Sequence, residues 1–284
     1  IKGTVVTLTL ALKSEKSPLK KVLISEIEKV VGALPEVSSV QVEVITLTRE
    51  EFEKLFPKAP LKGIETVKYF LAVASGKGGV GKTTIAVNVA LALVKQGYKV
   101  GLLDADIYGP SVPLMLGLSG AVDQQDNMII PKEKDGMQIM SLGMTAGQNE
   151  AFIWRGPLVS KMIHQLLDQV KWGDLDYLVI DLPPGTGDPS ITIAQAIPHC
   201  SILMVTTPQE VALADVRRSI GLFNKIGQTI AGLVVNMSYF LCSHSAQPIE
   251  IFGSGGGEKL SQEANIPLLV AIPRDLELRQ GGDL

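Results

Sequence analysis

Ser75-Gly76-Lys77-Gly78-Gly79-Val80-Gly81-Lys82-Thr83-Thr84 decides the fold of this 284-residue chain. Gly76, Gly81, Lys82 and Thr83 match the phosphate-loop pattern Gly-x4-Gly-Lys-Ser/Thr. In that pattern glycines let successive N–H groups turn inward around a phosphate, the lysine reaches the outer phosphates, and the hydroxyl ligates Mg2+. Average residue usage puts a chance match in a chain of this length at about 1 in 100. The flanks also have the required order. Residues 67–74, Val-Lys-Tyr-Phe-Leu-Ala-Val-Ala, read as a strand; from Thr84 to Lys95, Ile85, Val89, Ala92 and Leu93 recur at helical spacing. A strand, a glycine loop and a helix N-terminus together favour an anion. Lys77, directly after the first glycine, is a second cation that the ordinary pattern does not require.

Composition fits an enzyme with a large core: 46% of residues are hydrophobic, 19% are charged and 28 are glycine. A net charge of -3 argues against a general nucleic-acid binder, and no apolar run reaches the roughly 18 residues of a membrane helix. Two cysteines, Cys200 and Cys242, make no disulfide framework, so a reducing compartment is expected: the cytoplasm, or an organelle interior if a targeting segment has been removed. The chain opens at Ile1 inside a strand-like segment and is read as N-terminally truncated.

Two units are expected. In the first, residues 1–47, Val6, Leu8, Leu10 and Leu12 alternate as a half-buried strand. Leu19, Val22, Leu23, Ile27, Val30, Val31 and Leu34 then follow helical spacing behind Ser17 and Pro18, and Val40, Val42 and Val44 alternate again. Residues 48–65, with Pro57, Pro60 and Gly63, read as a linker. The second unit, 66–284, repeats strand and helix, with strands expected at 67–74, 100–103, 138–141, 177–180, 202–206, 230–235 and 268–272. Near-continuous apolar strands imply a doubly wound, mostly parallel α/β sheet with its ligand at the strand C-termini.

Two of those strands end in acids: Leu103 runs into Asp104-Ala105-Asp106, and Ile180 into Asp181-Leu182-Pro183-Pro184-Gly185-Thr186-Gly187-Asp188. A lone aspartate at such a place caps a strand end or forms a turn. Beside a phosphate loop it holds the Mg2+ shell or orients the attacking water, and the Pro-Pro-Gly-Thr-Gly segment suits a γ-phosphate sensor.

Taken together with Trp154-Arg155-Gly156-Pro157, Thr206-Thr207-Pro208-Gln209 and Asn236-Met237-Ser238-Tyr239-Phe240, these motifs resemble the Mrp/ApbC family. Those are P-loop ATPases that scaffold or carry iron-sulfur clusters and are related to the MinD/ParA group. The first unit is similar to the small iron-sulfur-assembly domain often fused ahead of that ATPase. The resemblance implies ATP and Mg2+ as cofactors, slow ATP hydrolysis, a nucleotide-switched homodimer and apo iron-sulfur proteins as targets; from charge and hydropathy neither nucleic acid nor membrane is expected as a partner. By position it implies that Lys77 crosses the dimer interface to the partner's phosphates, as an arginine finger does. It implies that Lys82 is catalytic, that Asp106 positions water, and that Asp104 and Asp181 lie in the Mg2+ shell with Thr83. Asn236 would read adenine, and Pro273 and Asp275 would belong to a loop over the base.

In cluster-carrying members the Asn-Met-Ser-Tyr-Phe motif precedes a Cys-Pro-x-Cys pair, so that a dimer holds a [4Fe-4S] cluster. This chain has Phe240-Leu241-Cys242-Ser243-His244-Ser245, with serine where the second cysteine belongs. Serine replaces a soft thiolate poorly. Three readings stay open: a lost four-thiolate site, an altered Cys242–His244 pair, or a structural Cys242. Cys200 is expected in the core, and His164 on a helix over 157–170. Besides the cluster carrier, a MinD/ParA-like spatial organiser and a nucleotide-binding adaptor without a cluster are the competing functions.

Overall fold

Alternating apolar residues build the first strand, β1 (Thr4–Leu12), which pairs in parallel with β2 (Val37–Thr46) across the helix α1 (Lys20–Gly32). The computed structural model describes residues 4–12, 20–35, 37–48, 51, 55, 61–106, 109–144, 156–197, 199–242 and 247–282. Ser17 and Pro18, expected at the start of α1, lie outside them. The chain divides into two units, Ile1–Pro60 and Leu61–Leu284. The second begins inside the segment expected as a linker. Gly63 sits where a Cβ would meet the carbonyl oxygens of Leu167 and Val170 at 2.6 Å, and Ile64 is buried.

The second unit contains every strand expected there: β3 (Tyr69–Ser75), β4 (Val100–Asp104), β8 (Met137–Ser141), β9 (Tyr177–Asp181), β10 (Ser201–Thr206), β11 (Thr229–Val235) and β14 (Leu268–Ala271). They form one sheet in the order β14-β11-β10-β3-β9-β4-β8-β7, parallel except for the edge strand β7 (Lys132–Lys134). This is an α/β fold with helices on both faces. Successive residues of a strand feed opposite cores. Leu103, Ile180 and Met204 face a layer of α4 (Gly156–Asp168), α5 (Asp188–Ala196), α6 (Glu210–Lys225) and α7 (Gly256–Ala264). Leu102, Val179 and Val205 face α2 (Lys82–Lys95) and α3 (Val112–Met115). Each fully buried Leu or Ile contributes about 1.5–3 kcal/mol, and strands covered on both sides have no polar face, hence their continuous apolar text.

Three differences from the sequence reading have local causes. Strand β3 starts at Tyr69, because Val67 still closes a turn on Ile64 O (3.2 Å) after a short 3-10 helix at Lys62–Ile64. Helix α2 starts at Lys82, two residues before the expected Thr84, because Gly81 is its N-cap. Strand β7 and the hairpin β5 (Asp123–Gln125) with β6 (Met128–Ile130) were not anticipated, because three residues are too few to show alternation. Their turns were readable: Asp126-Asn127 and Asp135-Gly136 both take positive φ, as two-residue hairpin turns demand. Two short strands, β12 (Phe240–Leu241) and β13 (Pro248–Ile249), and a terminal helix, α8 (Leu276–Gly281), complete the unit.

Candidate functional site: a phosphate loop between two strand ends

The sheet order places β3 between β9 and β10, so the loop that leaves β3 is flanked by the polar ends of both neighbours. Two glycines in it are required by space. A Cβ on Gly76 would lie 2.5 Å from the α6 backbone at Asp215 and Val216. Gly81 takes φ 84, and a Cβ there would collide with Asn236 Nδ2. Gly81 is also the N-cap of α2 and offers no side-chain cap, which leaves first-turn N–H groups facing the loop.

Lys82, only 6% exposed, points its Nζ at Asp181 Oδ1 (2.5 Å), with Asp106 Oδ2 at 3.8 Å. The second Asp181 oxygen accepts the Thr83 hydroxyl at 2.6 Å, and Ser111 Oγ lies 3.4 Å from that hydroxyl. Burial pushes the Asp181 carboxyl up, against the pull of the Lys82 ammonium and the hydrogen bonds from Lys82 and Thr83. Asp104, paired across the sheet with Asp181, is fully buried. Its oxygens accept the N–H groups of Asp106 (3.1 Å) and Val112 (3.2 Å) and the Ser141 hydroxyl (3.1 Å). Desolvation first, and the neighbouring Asp181 charge second, push its carboxyl up to about 7. Of the two acids expected in the Mg2+ shell, Asp181 touches Thr83, whereas Asp104 is engaged with the start of α3 and the end of β8.

Asn236 is buried and donates from Nδ2 to Val80 O at 2.9 Å, so it braces the loop backbone. Asp275 caps α8 by accepting the Leu278 N–H at 2.9 Å, and Pro273 precedes Arg274, whose N–H donates to Tyr239 O at 2.6 Å. Lys77 Nζ lies 3.4 Å from Gln209 Oε1. Gly185 N–H donates to Ser75 O at 2.8 Å, tying the Pro-Pro-Gly-Thr-Gly segment to the loop. Gly78 and Gly79 are exposed, and Thr84 is half-buried in the first turn of α2. Ser111, Ser141 and Gln209 were not singled out from sequence. The signal for Ser141 was a polar residue ending an apolar strand in step with Asp104.

Cys242, half-buried at the end of β12, is not disulfide-bonded; its N–H donates to Gln247 O at 3.2 Å. Ser243, His244 and Ser245 lie outside the described residues, as do Trp154 and Arg155. Cys200 is in the core, where burial pushes its thiol up to about 12, and His164 is exposed on α4. Among the described residues no group of three or more His, Cys, Asp or Glu could hold a metal ion, and no helix is long and apolar enough to cross a membrane.

A parallel sheet whose central strand feeds a glycine loop into a helix, with a hydroxyl and a carboxylate behind the loop lysine, defines a P-loop NTPase of the ParA-like class. The chain belongs to the NUBPL iron-transfer P-loop NTPase family of that class, whose model matches residues 66–284. A protein of Synechocystis sp. named iron-sulfur cluster carrier protein is 45% identical over 289 residues, spanning 100% of this chain and 81% of that protein. One of the same name from Pseudomonas fragi is 41% identical, covering 90% of this chain and 89% of its own. Among solved structures, a nucleotide-binding protein of Archaeoglobus fulgidus in complex with ADP superposes with a TM-score of 0.69 at 37% identity, over 78% of this chain and 88% of that one. The cell division ATPase MinD of Pyrococcus furiosus shares the fold, with a TM-score of 0.53 at 24% identity over 76% and 87%.

Proposed function

We propose that this chain is an ATP-binding and ATP-hydrolysing iron-sulfur cluster carrier. It acts as a nucleotide-switched homodimer that assembles clusters or hands them to apo-proteins in a reducing compartment such as the cytoplasm. The observation that carries the reading is the network of Lys82, Asp181 and Thr83 at a loop that also presents Lys77, in a chain whose relatives are named cluster carriers.

The residues fit Mg2+ with a nucleotide. Thr83 Oγ1 and the Asp181 carboxylate are hard oxygen donors, and Mg2+ takes one or two such protein ligands and completes its shell with phosphate and water. When bound it neutralises phosphate charge. The protein's own groups do the rest. The loop N–H groups and Lys82 hold the phosphates, and Asp106, beside Lys82, accepts a hydrogen bond from the attacking water. Lys77 delivers its charge to the partner's site, so turnover depends on dimer geometry. Asp104 fixes the α3 start that follows Asp106. Asn236 couples the loop to the adenine side, and Pro273 and Asp275 flank it. The first unit serves as an assembly domain. Slow hydrolysis follows if ATP acts as a conformational signal.

Cargo chemistry is tested by anaerobic reconstitution with ferrous iron and sulfide, read by visible absorbance and iron content. About four irons per dimer support a bridging cluster. No cluster in the natural chain, with recovery in Ser245→Cys, assigns the loss to the missing thiolate. No cluster in either overturns the carrier reading.

A further inference from the structure

The loop lysine Lys77 meets an amide, although two carboxylates stand on the same helix. Gln209 lies immediately before α6 as its N-cap residue and makes no side-chain cap bond, so its amide is available to other groups. Its Oε1 faces Lys77 Nζ at 3.4 Å and the Thr207 hydroxyl at 3.5 Å. The carboxylates of α6 are engaged elsewhere: Glu210 with Arg217 (3.7 Å), and Asp215 with Arg218. The backbone fixes the geometry. Gly76 abuts Asp215 and Val216 of α6, Leu213 N–H closes the first turn of α6 on Gln209 O (3.0 Å), and Ser75 Oγ donates to Lys77 O at 2.9 Å. Lysine and amide therefore sit on one packed piece of structure.

We propose that Gln209 is the positioning residue for Lys77, an uncharged acceptor that aims the ammonium from its own chain without neutralising it. The proposal rests on the reading that Lys77 acts on a phosphate of the partner. Its logic is electrostatic. A carboxylate at position 209 would hold the ammonium as an ion pair, whereas an amide makes a weaker contact that an incoming phosphate outcompetes. Without an acceptor the four-carbon stem is free to rotate and loses its aim.

The test uses the full chain and steady-state ATP hydrolysis. Gln209→Glu is expected to lower kcat roughly tenfold, with KM for ATP within about twofold, because the part-buried ion pair it creates holds the ammonium. Gln209→Leu is expected to lower kcat by only about threefold, because it leaves the ammonium unaimed but not held. Melting temperatures of both variants stay at the parental value, which separates positioning from packing. If Lys77→Ala abolishes turnover while both Gln209 variants keep the parental kcat, the positioning role is wrong and the trans-lysine reading stands. If Lys77→Ala keeps full turnover, the reading underneath is wrong. A Gln209→Glu loss no larger than the Gln209→Leu loss also overturns the proposal.

Discussion

Lys82 Nζ and Asp181 Oδ1 are 2.5 Å apart in a site almost closed to water, and the other oxygen of the same carboxylate takes the Thr83 hydroxyl. One acid therefore holds two consecutive side chains at the start of α2. Removing it leaves a buried ammonium with Asp106 as a more distant counter-charge. Asp181→Ala is expected to destabilise the larger unit by roughly 3–5 kcal/mol, the range for breaking a buried pair. Chemical denaturation checks this; a loss below about 1 kcal/mol would show that Lys82 re-pairs at no cost.

Lys77 and Lys82 should separate kinetically. Lys77→Ala is expected to cut turnover at least tenfold while nucleotide affinity changes by less than about threefold, because Lys82 and the loop N–H groups still hold the phosphates. Lys82→Ala should lose affinity itself. Asp106→Asn is expected to bind ATP and accumulate a dimer, seen by light scattering; rapid hydrolysis by that variant would remove Asp106 from the water-positioning role.

The raised carboxyl of Asp104 makes a pH prediction. Its pKa in the fold, about 7, exceeds the unfolded value of 3.8. The native state therefore binds more protons than the unfolded state between those values. Stability from this group is fully present below about pH 4 and is lost as pH rises through 7. Asp104→Asn should flatten that decline, which is on the order of 3 kcal/mol between about pH 5 and 7. Melting temperatures in Mg2+-free buffer from pH 5 to 8 decide it. An unchanged slope would assign the proton elsewhere.

Gly76→Ala is expected to cost about 1–3 kcal/mol, because a methyl group meets helix backbone that has no rotamer with which to yield. Calorimetry reads the loss. Gly78→Ala, at a loop tip with nothing within 4 Å, is expected to leave the melting temperature unchanged and to affect only nucleotide binding.

Much of this was legible in the sequence, for stated reasons. The central parallel strands could be read because burial on both faces leaves them few polar positions, and the loop because its glycine spacing has few other uses. Asp181 drew attention by its position after four apolar residues, and the fold sets it 2.6 Å from the Thr83 hydroxyl. The attachment of Asp104 to Ser141 was not legible, since it depends on β8 lying next to β4, a neighbour relation that no local pattern carries. Gln209 ends the Thr206-Thr207-Pro208-Gln209 motif, yet its partner lies 132 residues away in sequence. Asp275 has a role that any helix start could give it, and Asn236 reaches the loop only because β11 ends beside it.

The first glycine of the phosphate motif therefore records two histories at once. A pattern search counts Gly76 as a vote for phosphate binding, but in the fold the residue is held to glycine by α6 pressing on it from behind. Drift at that position would be blocked even in a descendant that had stopped using nucleotides. A surviving glycine there is testimony about helix packing, and evidence that a relative still handles ATP has to come from Lys82, Thr83 and Asp181.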